Sequence, residues 1–155
     1  MKSLHKFSEV LNEMLVTVYH KILRVEEDFL QKGIGAGLTI RELHMIEFVG
    51  KAGVEGRALS EIADFFNIAR PSVTVSVKKL EQKGFLTRKG CVLDGRVVRI
   101  TLTRDGRKVF MLHMHFHRMM VKELENGLCE EEKNVLVKVI TKLDKFFEKN
   151  IEATT

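Results

Sequence analysis

The chain has 155 residues, 45% hydrophobic and 30% charged, which suits one globular domain with a sizeable core; a single proline and no tryptophan disfavour an all-β sandwich. No apolar run is long enough to cross a bilayer, and Glu9 and Glu13 interrupt the first apolar residues too early for a secretory signal, so the chain is expected in the cytoplasm, away from membranes. The net charge of +5 is concentrated: residues 70–108 hold 11 Lys/Arg and 3 acids, while the remainder is net −3, which points to nucleic acid first and an acidic protein second as a partner, with a merely solvated surface as the plain alternative.

Leu4, Phe7, Leu11, Met14, Val18, Ile22, Val25 and Phe29 recur every three or four residues. They predict a first helix of about eight turns, ended by Gly33, Gly35 and Gly37. A stripe that long has no short neighbour able to cover it and calls for a partner chain. Thr39 and Glu42 in "TIRE" form a capping box for a second helix that buries Leu43, Ile46 and Val49. "GKAGVEG" reads as a loop.

"ALSEIADFFNIARPSVTVSVKKLEQKGF" follows. Leu59, Ile62, Ala63 and Phe66 give one short helix a buried face, Asn67 and Ile68 make a tight connection, and Val73, Val77 and Leu80 bury a second helix. That is a helix-turn-helix pattern. On the second helix, Pro71, Val75, Lys78, Lys79 and Gln82 lie opposite the core, flanked by Ser72 and Thr74, with Arg70 at its start. Short hydroxyls, a valine able to meet a thymine methyl and lysines further along suit a helix in a major groove. An ordinary helical hairpin with a polar outer face would look similar over this segment alone.

Beyond Gly84, "FLTRKG" and "RVVRITLT" read as strands joined by "CVLDG", a hairpin with a basic tip. Arg88, Lys89, Arg96 and Arg99 supply its charge, and Asp94 is placed to orient Arg96. Thr103 caps a fifth helix, in which Leu112, Phe116 and Met119 are expected to face the core. "LHMHFHRMMV" puts His113 and His117 on one side of that helix and His115 about 200° away, so the three histidines cannot share one ion. Cys129 sits at an N-cap-like position before a last helix striped by Val135, Val139, Leu143, Phe146 and Ile151. The two cysteines, Cys91 and Cys129, match neither a CxxC pattern nor a disulfide framework, and no catalytic residues are identified.

These residues, above all "LSEIADFFNIARPSVTVSVKKLEQKGFLTR" and "DGRVVRITLT", resemble the MarR family of dimeric winged-helix transcriptional regulators. The resemblance implies a mainly α fold: a winged helix-turn-helix over 38–103 with a two-stranded wing, and dimerisation helices over 1–33 and 104–155. It implies a homodimer on a pseudo-palindromic operator of double-stranded DNA. The DNA-binding set is then Arg70, Ser72, Thr74, Val75, Lys78, Lys79, Arg88, Asp94 and Arg96. Ala58 and Ala69 stand where such regulators usually carry a Ser or Thr cap, a loss of ~1 kcal/mol at each helix.

Within the family, "VEEDFLQKGIGAGLTIRELHMIEFVGKAG" and "LHMHFHRMMV" look like the repressors of bacterial fatty-acid synthesis. That likeness implies an acyl chain on acyl carrier protein as effector, in a pocket near His44, Phe110, His113, His117, Met120 and Leu124. Zinc-responsive repressors of the same family are also similar, implying a metal set of Glu26, His44, His113 and His117. A non-DNA-binding protein that holds an acidic partner is the alternative of a different class.

Overall fold

The computed structural model describes residues 2–32, 37–90 and 98–152. In chain order the elements are α1 (Lys2–Lys32), α2 (Ile40–Lys51), β1 (Arg57–Ala58), α3 (Leu59–Phe66), α4 (Arg70–Gln82), β2 (Leu86–Gly90), β3 (Val98–Leu102), α5 (Arg104–Asn126) and α6 (Glu130–Glu152). They divide into two compact units, Met1–Met114 and His115–Thr155.

In the first unit, α2, α3 and α4 enclose a core of Leu43, Ile46, Val49, Ile62, Val73, Val77 and Leu80, joined by Ile100 from β3 and Val109 from α5. Each aliphatic side chain shut away in this way favours folding by about 1.5–3 kcal/mol. The predicted capping box is present: Thr39 Oγ1 accepts from Glu42 N at 3.2 Å, and Glu42 Oε2 accepts from Thr39 N at 2.9 Å. At α3 only half a box exists, since Ala58 offers no acceptor, but Glu61 Oε2 still takes the Ala58 N–H at 2.7 Å. Asn67, left-handed at φ 47°, turns the chain between α3 and α4.

The wing contains one strand more than the sequence suggests. β1 pairs antiparallel with β3, which pairs with β2, giving the order β1-β3-β2. With only two residues and no alternation to display, β1 has no periodic signature.

α4 ends in a Schellman motif: Phe85 N bonds to Leu80 O at 2.9 Å and Gly84 N to Glu81 O at 3.0 Å, with Gly84 at φ +81°. Thr103 then ties this corner to α5. Its N–H bonds to Phe85 O at 3.0 Å, its hydroxyl donates to Gly84 O at 2.6 Å, and its oxygen accepts from Gly106 N at 3.0 Å as the cap of α5. Gly106 itself lies so close to Phe85 that a Cβ there would sit 2.0 Å from the carbonyl oxygen.

The core-facing line of α5 differs from the expected stripe. Gly106, Val109 and His113 are buried, whereas Leu112 and Met119 are exposed and Phe116 is half-buried. The close approach at Gly106 fixes the rotation of the helix and turns the more apolar side outward. α1 behaves likewise, with Phe7, Leu11, Met14, Val18 and Val25 exposed and Glu26 and Leu30 buried. In the second unit, Val135, Val139, Phe146 and Ile151 of α6 are exposed. No helix among the described residues is long and apolar enough to cross a membrane.

Candidate nucleic-acid interface and a buried carboxylate–imidazole cluster

The anchoring of Val73, Val77 and Leu80 in the core turns the opposite side of α4 to solvent. Arg70, Pro71, Ser72, Thr74, Val75, Lys78, Lys79 and Gln82 are all exposed, as the helical spacing requires, and Val75 keeps 61% of its surface. An exposed β-branched apolar residue between hydroxyls and lysines has no folding role; it suits apolar contact in a groove. Thr74 Oγ1 donates to Arg70 O at 3.0 Å, so its proton is used within the helix and its lone pairs remain outward. Pro71 occupies the first turn, where no intrahelical acceptor is lost.

Several basic residues of the block are engaged internally. Arg88 Nε donates to both oxygens of Glu81 at 3.0 and 3.1 Å, linking β2 to α4. Arg99 Nη1 donates to Glu61 Oε2 at 2.6 Å, linking β3 to α3, and Arg57 Nη1 reaches the same carboxylate's Oε1 at 3.2 Å. Hydrogen bonding from Ala58 N, with Arg57 and Arg99 alongside, holds the Glu61 carboxyl below its ordinary value. Lys83 Nζ binds Glu42. Among the described residues Arg70, Lys78, Lys79 and Lys89 carry no such pair, which leaves their charge for an anion. Asp94 and Arg96, with Cys91, lie outside the described residues.

The second constellation is only partly closed off: Glu26 and His113 are buried, Glu47 is half-buried and the His44 side chain is 39% exposed. α1 contributes Glu26, α2 contributes His44 and Glu47, and α5 contributes His113, which has no exposed surface. Nε2 of His113 is 3.4 Å from Glu26 Oε1, and its Nδ1 is 3.2 Å from Glu47 Oε2. His44 Nε2 is 3.5 Å from Glu26 Oε2, and the two imidazole centroids are 5.9 Å apart. Two carboxylates bracketing a buried imidazole suit a cation, either the imidazolium proton or a metal ion. Glu26, His44 and His113 have ligand atoms close enough to hold one ion together. Two ligands on a tetrahedral zinc stand roughly 3.4 Å apart; His113 is at 3.4 Å from Glu26 Oε1, and His44 is at 3.5 Å from the other oxygen, Oε2.

The structure thus brings together Glu26, His44 and His113 of the expected set. His117 lies one turn further along α5, in the second unit, and is half-buried. Phe110 packs partly buried on the core, with its ring over Gly50, while Met120 and Leu124 are exposed in the second unit. Glu47 is the member sequence reasoning missed; its spacing of three from His44 on one helical face was the available signal. Glu42, Glu61 and Glu81 were likewise missed as partners for basic residues. Their cations lie far off in sequence or on another element, and neither spacing nor composition reveals such pairs. Cys129 is exposed, and its N–H donates to Glu132 Oε2 at 2.8 Å, a half-box at the start of α6.

Comparison with known proteins supplies a frame for both regions. The profile of the MarR family matches residues 36–97. The HTH-type transcriptional regulator BilQ of Clostridium symbiosum is 35% identical over 142 residues, covering 86% of this chain and 92% of that protein. The structure of Streptococcus pneumoniae FabT in complex with DNA superposes with a TM-score of 0.83 at 33% identity, across 91% of this chain and 97% of FabT. The S. aureus MepR–DNA complex shares the fold, with a TM-score of 0.68 at 21% identity over 86% of this chain and 96% of MepR.

Proposed function

The chain belongs to the MarR family of DNA-binding transcriptional regulators, and on that premise we propose that it is a homodimeric repressor whose grip on its operator is set by a ligand at the Glu26–His44–His113 cluster. The observation that carries the DNA half is the outer face of α4. Val75 is exposed on a helix otherwise anchored by three fully buried side chains, between short hydroxyls and Lys78 and Lys79. In the reading pose, Ser72, Thr74 and Val75 meet base edges, while Arg70, Lys78 and Lys79 lie along phosphates, with Arg88 held back on Glu81 and Asp94 and Arg96 assigned to the wing. The apolar faces left open on α1 and α6 support dimerisation. Two-fold symmetry then puts two copies of α4 in successive major grooves about 34–36 Å apart on a pseudo-palindromic site. Such work belongs in the cytoplasm, where the DNA is.

Two effector readings follow. The likeness to FabT supports the fatty-acid-synthesis repressor branch, and the effector that goes with that reading is an acyl chain delivered on acyl carrier protein. The donor set of Glu26, His44 and His113 supports zinc instead, with these three residues holding the ion. In either case α2 is the lever: it carries His44 and Glu47 at the cluster and Glu42 at its N-terminal end, beside α4.

Fluorescence anisotropy on an operator selected in vitro tests the proposal. Operator binding that weakens steeply with salt supports the DNA half; no binding in any ligand state overturns it. Operator affinity that responds to acyl carrier protein loaded with a long acyl chain, and not to its unacylated form, supports the first effector. A response to stoichiometric zinc that is lost in His44→Ala supports the second, and no response to either overturns both.

A further inference from the structure

Lys83 is the capping residue at the C-terminal end of α4, where a lysine would ordinarily be assigned to a DNA phosphate. Its ammonium is turned inward instead. Nζ donates to Glu42 Oε2 at 2.7 Å, to Glu42 Oε1 at 2.9 Å and to Gly37 O at 2.7 Å. An ammonium has three N–H donors, and three short contacts use them.

Both ends of this link are rigidly rooted. Lys83 sits inside the Schellman motif, where the bonds from Gly84 and Phe85 fix its backbone. Glu42 is held by the capping box with Thr39 and is only 12% exposed in its side chain. Burial alone pushes its carboxyl up, but the bonds from Lys83 and Thr39 outweigh that effect and hold it below its ordinary value.

We propose that Lys83 is a positioning residue of the DNA-reading helix, tethering the C-terminal end of α4 to the N-terminus of α2 and so fixing the tilt of α4 in the groove without touching DNA itself. Val73, Val77 and Leu80 root α4 in the core, and a tilt of roughly 10° about the Leu80 anchor displaces Ser72, roughly 12 Å away along the helix, by roughly 2 Å. A hydrogen bond to a base edge does not survive a displacement of that size. Contacts to phosphates through long, mobile lysines do.

The test uses the full chain in an anisotropy titration, on an in-vitro-selected operator and on a scrambled duplex of equal length, across a salt series. Lys83→Met is expected to weaken operator binding about ten-fold while leaving scrambled-duplex affinity and the salt slope unchanged. Lys78→Met serves as the phosphate-contact comparator, weakening both duplexes and reducing the operator slope by about 1.8, one phosphate contact per subunit. Lys83→Arg restores most of the operator affinity. Glu42→Gln, which keeps a capping oxygen, reads the tether from its other end. It should repeat the operator-selective loss, and the double variant should be no weaker than Lys83→Met alone. A slope reduced by about 1.8 in Lys83→Met, one contact per subunit, makes Lys83 a phosphate contact and overturns the proposal. So does unchanged operator affinity in Glu42→Gln, a result that remains readable even where Lys83→Met fails to fold.

Discussion

His113 Nε2 lies 3.4 Å from Glu26 Oε1, joining α5 to α1 between two residues that are both shut off from water. Removing either residue takes one partner from a buried polar group, a loss of about 1–3 kcal/mol, while His44 stays beside Glu26 and Glu47 beside His113. His113→Ala is therefore expected to be among the most destabilising single substitutions in the chain, adding a cavity to the loss. Glu26→Gln, which keeps the volume and an acceptor, should cost less than His113→Ala. Urea denaturation of both variants checks the order, and equal stabilities for His113→Ala and wild type would remove the cluster from the core account.

Acid sensitivity follows from two carboxyls outside that cluster. Glu42 and Glu61 are both held below the ordinary 4.5. For a depressed carboxyl, the ionised form stabilises the fold; that stability is complete above the unfolded value and is lost as pH falls through the lower folded value. The urea midpoint is expected to decline as the pH drops below 4.5, and Glu42→Gln to flatten part of that decline while lowering stability at pH 7. The check is a set of urea melts from pH 7 downward. A decline as steep in Glu42→Gln as in wild type would show that the Lys83 bond contributes nothing to it.

The corner where Thr103 meets Gly84 and Phe85 predicts a third result. A Cβ at position 106 would lie 2.0 Å from a backbone oxygen, whereas one at Gly90 meets nothing within 4 Å. Backbone cannot yield as a flexible side chain does, so Gly106→Ala should cost about 3 kcal/mol or more. Gly90→Ala should stay within about 0.5 kcal/mol. Thermal melting of the two variants makes the comparison.

These three corners differ in how far the sequence disclosed them. The helix-turn-helix was legible because Ile62, Val73, Val77 and Leu80 repeat at helical spacing, and the Thr39 box because its two members stand three apart. The face of α5 was not. Leu112, Phe116 and Met119 form the more apolar stripe, and composition alone points that stripe at the core. The helix's rotation is set instead by the absence of a side chain at Gly106, which carries no hydropathy signal. Glu26, His44 and His113 were legible through likeness to relatives; Glu47 needed coordinates. The same holds for Lys83, Arg88 and Arg99, since a charge count cannot distinguish a cation offered to DNA from one already spent on a carboxylate.

On the outer face of α4, Val75→Ala isolates readout from folding. The side chain is 61% exposed, so its truncation should change stability by no more than about 0.5 kcal/mol. Operator affinity, by contrast, should fall by about 1–2 kcal/mol if the valine meets a thymine methyl. Binding to a scrambled duplex should not change. Equal losses on both duplexes would move Val75 out of the reading set.

Glu81 supplies the last test, because it restrains a cation that DNA could otherwise use. Its two oxygens hold Arg88 Nε at 3.0 and 3.1 Å, and the pair is partly exposed. Glu81→Gln removes a negative charge beside the interface and frees the guanidinium to turn towards a phosphate. Scrambled-duplex affinity is then expected to rise several-fold at low salt, with a salt slope steeper by up to about 1.8 for one added phosphate contact per subunit. Operator affinity should rise less, because a released Arg88 no longer braces β2 against α4, and the ratio between operator and scrambled duplex should therefore fall. Anisotropy titrations on both duplexes measure that ratio directly. A ratio that rises instead would mean that Glu81 acts only by repelling the backbone and that Arg88 is held in place by the strand alone.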